Sequence, residues 1–244
     1  MTTKFEFLFK LEFLQSWTSS LISSISPTII HNIGKYYMLK KVFYLSAIED
    51  LEGDYLEFGI FTGSSFCHSM KCCQKSAHLN PKMLDTRFFG FDSFSGFGPL
   101  PNEDRHPFYV DEYFVTSQKK VDDRIKSIAR GLTYKLIPGF FSDSLKEGAD
   151  KIGVRKARII FIDSDTYVSS KDALTFTLPT LQQGTYIVLD DYYSFKGSKD
   201  KGVARAFSEF VKLNKLEMRH VFTYGMGGAV YVVAEEPRYV KNAL

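Results

Sequence analysis

The chain has 244 residues, 44% of them hydrophobic and 24% charged, which suits one compact domain with a full-sized core. Its formal net charge of +3 is too small to argue for a nucleic-acid partner or an anionic membrane surface. No run of about 20 uncharged apolar residues occurs, so no membrane span is expected.

The N-terminal stretch carries Phe5, Phe9, Phe13, Trp17 and Leu21 four residues apart, one stripe of a helix. Residues 1–35 therefore read as a helical extension. Packing on the domain is one reading of the stripe. A lid over a site, a contact between copies in a homo-oligomer and a helix on a membrane surface are the others. Residues 36–244 read as one domain. Apolar runs predict strands over 54–60, 87–92, 133–137, 158–163, 185–190, 219–223 and 228–234. Helical spacing predicts helices over 64–75, 121–130 and 201–213, with another held within 169–181. Tyr224-Gly225-Met226-Gly227 joins the last two strands as a hairpin. The fold class is α/β: a Rossmann-like, doubly wound, seven-stranded sheet, mostly parallel, with one antiparallel strand near the C-terminus. The loop 93–116 is long and rich in Gly, Pro and aromatic residues, and loops of such length are often functional. Cys67, Cys72 and Cys73 are an odd number crowded into one predicted helix. They read as free thiols in a reducing compartment, the cytoplasm.

Two acidic clusters end successive strands: Asp163-Ser164-Asp165 and Asp190-Asp191. Neighbouring parallel strands lie about 5 Å apart. The geometry would bring Asp163, Asp190 and Asp191 together at the carboxyl edge of the sheet, where open α/β sheets bind ligands. Two carboxylates at that separation repel by roughly 3 kcal/mol at an effective dielectric of about 20. Such a group holds either a proton or a cation, and all-oxygen ligands favour a hard ion such as Mg2+. The alternative is that one or two of these aspartates cap the next helix or face water.

Glu57-Phe58-Gly59-Ile60-Phe61-Thr62-Gly63-Ser64-Ser65 forms the first strand-to-helix turn. Gly59 and Gly63 allow close backbone approach, and Ser64 or Ser65 can cap the helix. Glu57 would oppose a pyrophosphate but welcome an amine and a sulfonium, which favours S-adenosylmethionine over NAD. Asp92, followed by Ser93, ends the second strand, where a carboxylate can accept ribose hydroxyls. Phe141 and Ser142 follow the third strand, where an adenine edge commonly rests. Lys196, Lys199 and Lys201 read as a solvated run or as a contact for a phosphorylated acceptor. His106 and His220 are weak candidates for a base.

With Gly90-Phe91-Asp92-Ser93-Phe94-Ser95-Gly96 and Gly139-Phe140-Phe141-Ser142-Asp143-Ser144-Leu145, these stretches resemble the macrocin O-methyltransferase (TylF-type) family. Asp163-Ser164-Asp165-Thr166-Tyr167 and Asp190-Asp191-Tyr192 carry the most specific part of the resemblance. It implies a class I S-adenosylmethionine-dependent enzyme that methylates a hydroxyl of a sugar or a glycosylated small molecule. By position it implies a metal on Asp163, Asp190 and Asp191, with Asp163 or Asp191 taking the proton. The layout is also similar to that of catechol O-methyltransferases, whose lysine base falls here on Thr166, so no lysine base is expected. A metal-independent methyltransferase, a dehydrogenase and a non-catalytic nucleotide-binding protein are the rival readings.

Overall fold

The computed structural model describes residues 12–109 and 114–238. Its strands are β1 (Asp54–Phe58), β2 (Phe88–Asp92), β3 (Tyr134–Pro138), β4 (Ala157–Ile162), β5 (Tyr186–Leu189), β6 (Met218–Tyr224) and β7 (Gly228–Val233). They form one seven-stranded sheet in the order β3-β2-β1-β4-β5-β7-β6. The β5–β7 and β6–β7 pairs are antiparallel and the rest parallel, so β7 alone runs against the others. This is the expected doubly wound sheet, with each strand within two residues of its expected bounds.

Alternation along the strands splits the core into two layers. Tyr55, Ile159, Phe161 and Val188 pack under three helices: α2 (Pro27–Ile48), α3 (Ser64–Ser76) and α4 (Gln118–Ala129). Leu56, Phe58, Ile160, Ile162 and Leu189 face the other side. There they meet α7 (Tyr167–Thr177) and α9 (Gly202–Leu213). Short helices α5 (Phe141–Ser144), α6 (Ala149–Ile152) and α8 (Ser194–Gly197) fill the connections. On α9 the residues Val203, Phe207 and Phe210 are all buried, contributing about 1.5–3 kcal/mol each.

The described part of the N-terminal stripe is not packed on the domain. Phe5 and Phe9 lie outside the described residues. The rest of it sits on α1 (Glu12–Ser24), which buries nothing: Phe13 is 79% exposed, Trp17 58% and Leu21 53%. Pro27 opens a new helix and ends the old one, because its ring is accepted in a first turn but not in a helix interior. The expected boundary at 35/36 falls inside α2, which runs unbroken from Pro27 to Ile48 and is anchored by Met38, Leu39, Val42 and Phe43. The cysteines are free and buried, as expected.

Candidate active site

The carboxyl ends of β1, β2, β4 and β5 open into a cavity of about 600 Å3. The parallel ladder continues one step past the strands: Asp163 N–H donates to Phe58 O at 2.9 Å, and Asp190 N–H to Ile162 O at 3.0 Å. That step seats Asp163 beside the glycine turn and Asp190 beside Asp163. The chains meet closely enough that a Cβ on Gly59 would lie 1.9 Å from Asp163 O, and Gly59 has φ +91. Only glycine fits there.

Gly59, Ser64, Ser65, Asp92, Ser93, Phe141, Asp163, Asp190 and Asp191 all line the cavity. Glu57, Gly63 and Ser142 do not. Glu57 lies inside the sheet on the α3 face, fully buried, accepting hydrogen bonds from Tyr55 Oη and from Ser65 Oγ at 2.5 Å. These bonds tie the turn to the strand, so Glu57 shapes the glycine turn from within the sheet. Ser142 is exposed at the surface. Gly63 is the left-handed residue before α3. Asp92 accepts backbone N–H groups from Ile60 at 2.7 Å, Phe61 at 2.8 Å and Phe94 at 2.7 Å. A carboxylate offers about four lone-pair sites, so one remains for a ligand hydroxyl. Ser93 Oγ donates to Gly96 O at 2.6 Å and shapes the loop. Ser64 Oγ is hydrogen-bonded to Tyr36 Oη.

The acidic rim differs from the expectation. Asp163, Asp165 and Asp191 each bring a carboxylate oxygen within 4.8 Å of the others. Asp165 holds a left-handed φ of +60, a cost of about 1–3 kcal/mol for a residue with a side chain. Asp190 instead turns to the α2 side. Its Oδ1 accepts from Tyr224 Oη at 2.7 Å, and its Oδ2 lies 2.6 Å from Lys35 Nζ and 3.3 Å from His31 Nε2. Lys35 Nζ also donates to Asp163 Oδ2 at 2.9 Å. Met226 N–H donates to His31 Nδ1 at 3.3 Å, so the proton of neutral His31 sits on Nε2 and points at Asp190. The cause of the turn is strand parity. Val188 faces the α2 layer and Leu189 the other, so Asp190 follows Val188 and Asp191 follows Leu189.

Burial pushes Asp163 and Asp165 well above the usual carboxylate range, helped by the charge of Asp190 on the first and of Asp191 on the second. Burial pushes Asp190 the same way, but Lys35 and His31 outweigh it and hold this carboxylate below its ordinary range. Burial lowers Lys35, and Asp163 with Asp190 more than reverse that, so the ammonium stays charged.

Lys35, His31, Tyr36, Tyr224 and Asp165 were not among the expected site residues. A lysine does reach the rim, from α2 and not from the turn at Thr166, whose hydroxyl caps α7 by accepting Ser169 N–H at 3.3 Å. The signal was present: His31 and Lys35 stand four apart on an apolar helix and share a face. A Cβ on Gly34 would lie 2.8 Å from Gly225 N, so α2 crosses the β6–β7 turn at backbone contact. That crossing delivers Lys35 to Asp190. His106 and His220 are no part of the rim: the first packs against Tyr109 and Phe195, the second edge-on to Tyr231. Lys196, Lys199 and Lys201 are exposed and do not line the cavity.

The loop 93–116 walls the cavity with Phe97, Phe108 and Phe114. Fully buried Asp104 anchors it, accepting Tyr167 N–H at 2.8 Å and Val168 N–H at 3.1 Å at the start of α7.

A sheet of this order, with a glycine turn after β1, an acid ending β2 and an acidic rim after β4 and β5, is that of the class I methyltransferases. The chain matches the macrocin O-methyltransferase (TylF) family over residues 31–223 and belongs to it. Mycinamicin III 3''-O-methyltransferase of Micromonospora griseorubida is 25% identical over 179 residues, covering 68% of this chain and 66% of that relative. The match thus spans just under two thirds of that relative's length. The structure of the O-methyltransferase NovP is similar with a TM-score of 0.67 at 18% identity, over 82% of this chain and 79% of that one. The calicheamicin methyltransferase CalS11 gives 0.64 at 19% identity, over 88% and 85%. At these identities the two structures speak for the fold.

Proposed function

We propose that the protein transfers a methyl group from S-adenosylmethionine to a hydroxyl of a sugar or glycosylated small molecule, with a divalent cation such as Mg2+ at the acidic rim. One observation carries this reading: Asp163, Asp165 and Asp191 converge in the same cavity as the glycine turn and Asp92. Family membership supports the methyl donor and the sugar acceptor.

The donor set fits a hard cation. Four acidic groups of the rim, Asp163, Asp165, Asp190 and Asp191, face one ammonium, Lys35. Asp163, Asp165 and Asp191 would hold the ion; Asp190 is taken up by Lys35 and Tyr224. When bound, S-adenosylmethionine supplies the methyl group and the cation supplies Lewis acidity. The turn from Gly59 to Ser65, with Asp92, cradles the donor, and Asp92 keeps one acceptor site for a ribose hydroxyl. Phe97, Phe108 and Phe114 line the cavity and offer apolar surface to an acceptor. Asp163 or Asp191 takes the hydroxyl proton. Ser194 Oγ donates to Asp191 Oδ1 at 3.0 Å and Tyr109 Oη to Ser194 Oγ at 3.0 Å, so Asp191 is fixed in orientation. Positioning of the two reactants does the rest.

Calorimetry with S-adenosylhomocysteine and a methyl-transfer assay on glycosylated acceptors test this. Binding of the nucleoside, with transfer that stops in EDTA and returns with Mg2+, supports it. Absence of nucleoside binding overturns it, and transfer indifferent to EDTA removes the metal. The exposed apolar stripe of α1 supports a contact between copies, which sedimentation of wild type against Trp17→Ser would show as a change in mass. The three free thiols support a cytoplasmic setting.

A further inference from the structure

Asp104 holds the loop 93–116 to the start of α7, and Arg205 Nη1, 3.3 Å from Glu103 Oε2, backs that anchor. A second contact lies further along the loop at Tyr109, which is only 6% exposed. Its Oη donates to Ser194 Oγ at 3.0 Å, and its ring centre lies 5.9 Å from that of Phe195. His106 completes the contact. Its ring is 4.5 Å from Tyr109 and 5.1 Å from Phe195. Its O accepts Tyr109 N–H at 3.1 Å, and its Nδ1 accepts Phe108 N–H at 3.2 Å. Residues 106–109 thus form one tight turn that meets the segment after β5 with two rings and a hydroxyl. The cavity wall is attached to it, since Phe97 lies 6.0 Å and Phe108 6.3 Å from the Tyr109 ring.

The receiving segment is strained. In α8, Phe195 holds φ +55 and Lys196 φ +61, and Gly197 follows with φ +72. Left-handed backbone costs about 1–3 kcal/mol for each residue with a side chain, and it persists only where the surroundings hold it. Lys196 is exposed, so the holding contacts fall to Phe195. A Cβ on Gly202 would lie 2.6 Å from Phe195 Cε2, so that ring rests against the glycine that opens α9. The turn of His106 and Tyr109 packs on the same ring.

We propose that Ser194–Gly197 is a strained catch for the acceptor loop: Tyr109 closes on Ser194 and Phe195, and the closed loop in turn holds Phe195 and Lys196 left-handed. Tyr109 is then a positioning residue that fixes the aromatic wall to the segment after β5. Opening the loop and relaxing the turn are one event, because each arrangement supports the other. The inference rests on the reading that Phe97, Phe108 and Phe114 serve an acceptor, and it adds how that wall is held. It gives His106 a part in the loop turn.

The test is hydrogen exchange of the full chain, read on peptides covering 103–109 and 193–199, without donor or acceptor. Wild type is compared with Tyr109→Phe, Ser194→Ala, their double variant and Lys196→Gly. Tyr109→Phe keeps the ring and loses the hydroxyl. It should speed exchange in both peptides by about fivefold, the size of one hydrogen bond. Ser194→Ala also removes the bond to Asp191, so it is read through the double variant. The double variant should exchange within about twofold of the faster single one, because the shared bond can be lost only once. Lys196→Gly lowers the strain of the closed turn from an exposed position, and should slow exchange in 103–109 by about threefold. The proposal is overturned if Tyr109→Phe leaves 193–199 as in wild type, if the two single effects simply add, or if Lys196→Gly leaves or speeds exchange in 103–109. Affinity for S-adenosylhomocysteine should stay within about threefold of wild type in Tyr109→Phe. A larger fall would put the contact on the donor side and overturn its assignment to the acceptor wall. Failure of wild type itself to bind the nucleoside would overturn the proposed reaction, and the exchange results would still decide the catch.

Discussion

The carboxylate of Asp92 accepts the backbone N–H of Ile60 at 2.7 Å, so the end of β2 holds the glycine turn that follows β1 in shape. Phe61 and Phe94 donate to the same carboxylate. Asp92→Ala should cost about 2 kcal/mol of stability, since hydrogen bonds to a charged acceptor are lost. It should also weaken S-adenosylhomocysteine by about tenfold, which calorimetry reads directly. Unchanged affinity would place the nucleoside elsewhere.

Glu57 makes stability depend on pH. Burial pushes its carboxyl up to about 7, against the hydrogen bonds from Ser65 and Tyr55 that favour the ionised form. The folded chain therefore binds this proton more tightly than the unfolded chain does. Stability from this group is greatest below the ordinary carboxylate pKa and falls as pH rises to about 7, by about 3 kcal/mol in all. Glu57→Gln should flatten that fall between about pH 5 and 7 in urea denaturation, relative to wild type. A variant whose pH dependence matches wild type would refute the buried-carboxyl account.

Gly59→Ala is expected to be one of the most damaging single changes. The new methyl would meet Asp163 O at 1.9 Å, at a φ of +91 that alanine adopts poorly. A loss of about 3 kcal/mol or more is expected, because β1 and β4 must part at the point where the acidic rim begins. Thermal melting measures the loss, and nucleoside affinity should fall with it.

Asp104→Ala separates the two halves of the cavity. It removes the acceptor for Tyr167 and Val168 N–H, a helix-capping loss of about 1–2 kcal/mol. The aromatic loop loses its anchor, so the acceptor KM should rise while S-adenosylhomocysteine affinity holds. A fall in nucleoside affinity instead would show that the loop belongs to the donor side.

Much of this protein was legible in its residues. Apolar runs over 54–60 and 158–163 marked two strands, which pair in the middle of the sheet, and the step from Leu189 to Asp190 marked a strand end. These are local signals: a short apolar run, a glycine in a turn, an acid just past an apolar run. The strand signal ran past β1 at Gly59 because its φ of +91 is a backbone fact that the residue permits but does not announce.

Partners across the sheet were not legible. Asp190 and Asp191 are neighbours in sequence, yet one meets Lys35, His31 and Tyr224 while the other joins Asp163 and Asp165. The residues alone determined that acids would gather at the carboxyl edge, because strand ends in a parallel sheet share that edge. Which acid meets Lys35 and Tyr224, and which stands in the cluster with Asp165, was decided only in three dimensions. That choice depends on how closely α2 crosses the hairpin at Gly34 and Gly225, a contact between segments far apart along the chain with no local pattern to foretell it.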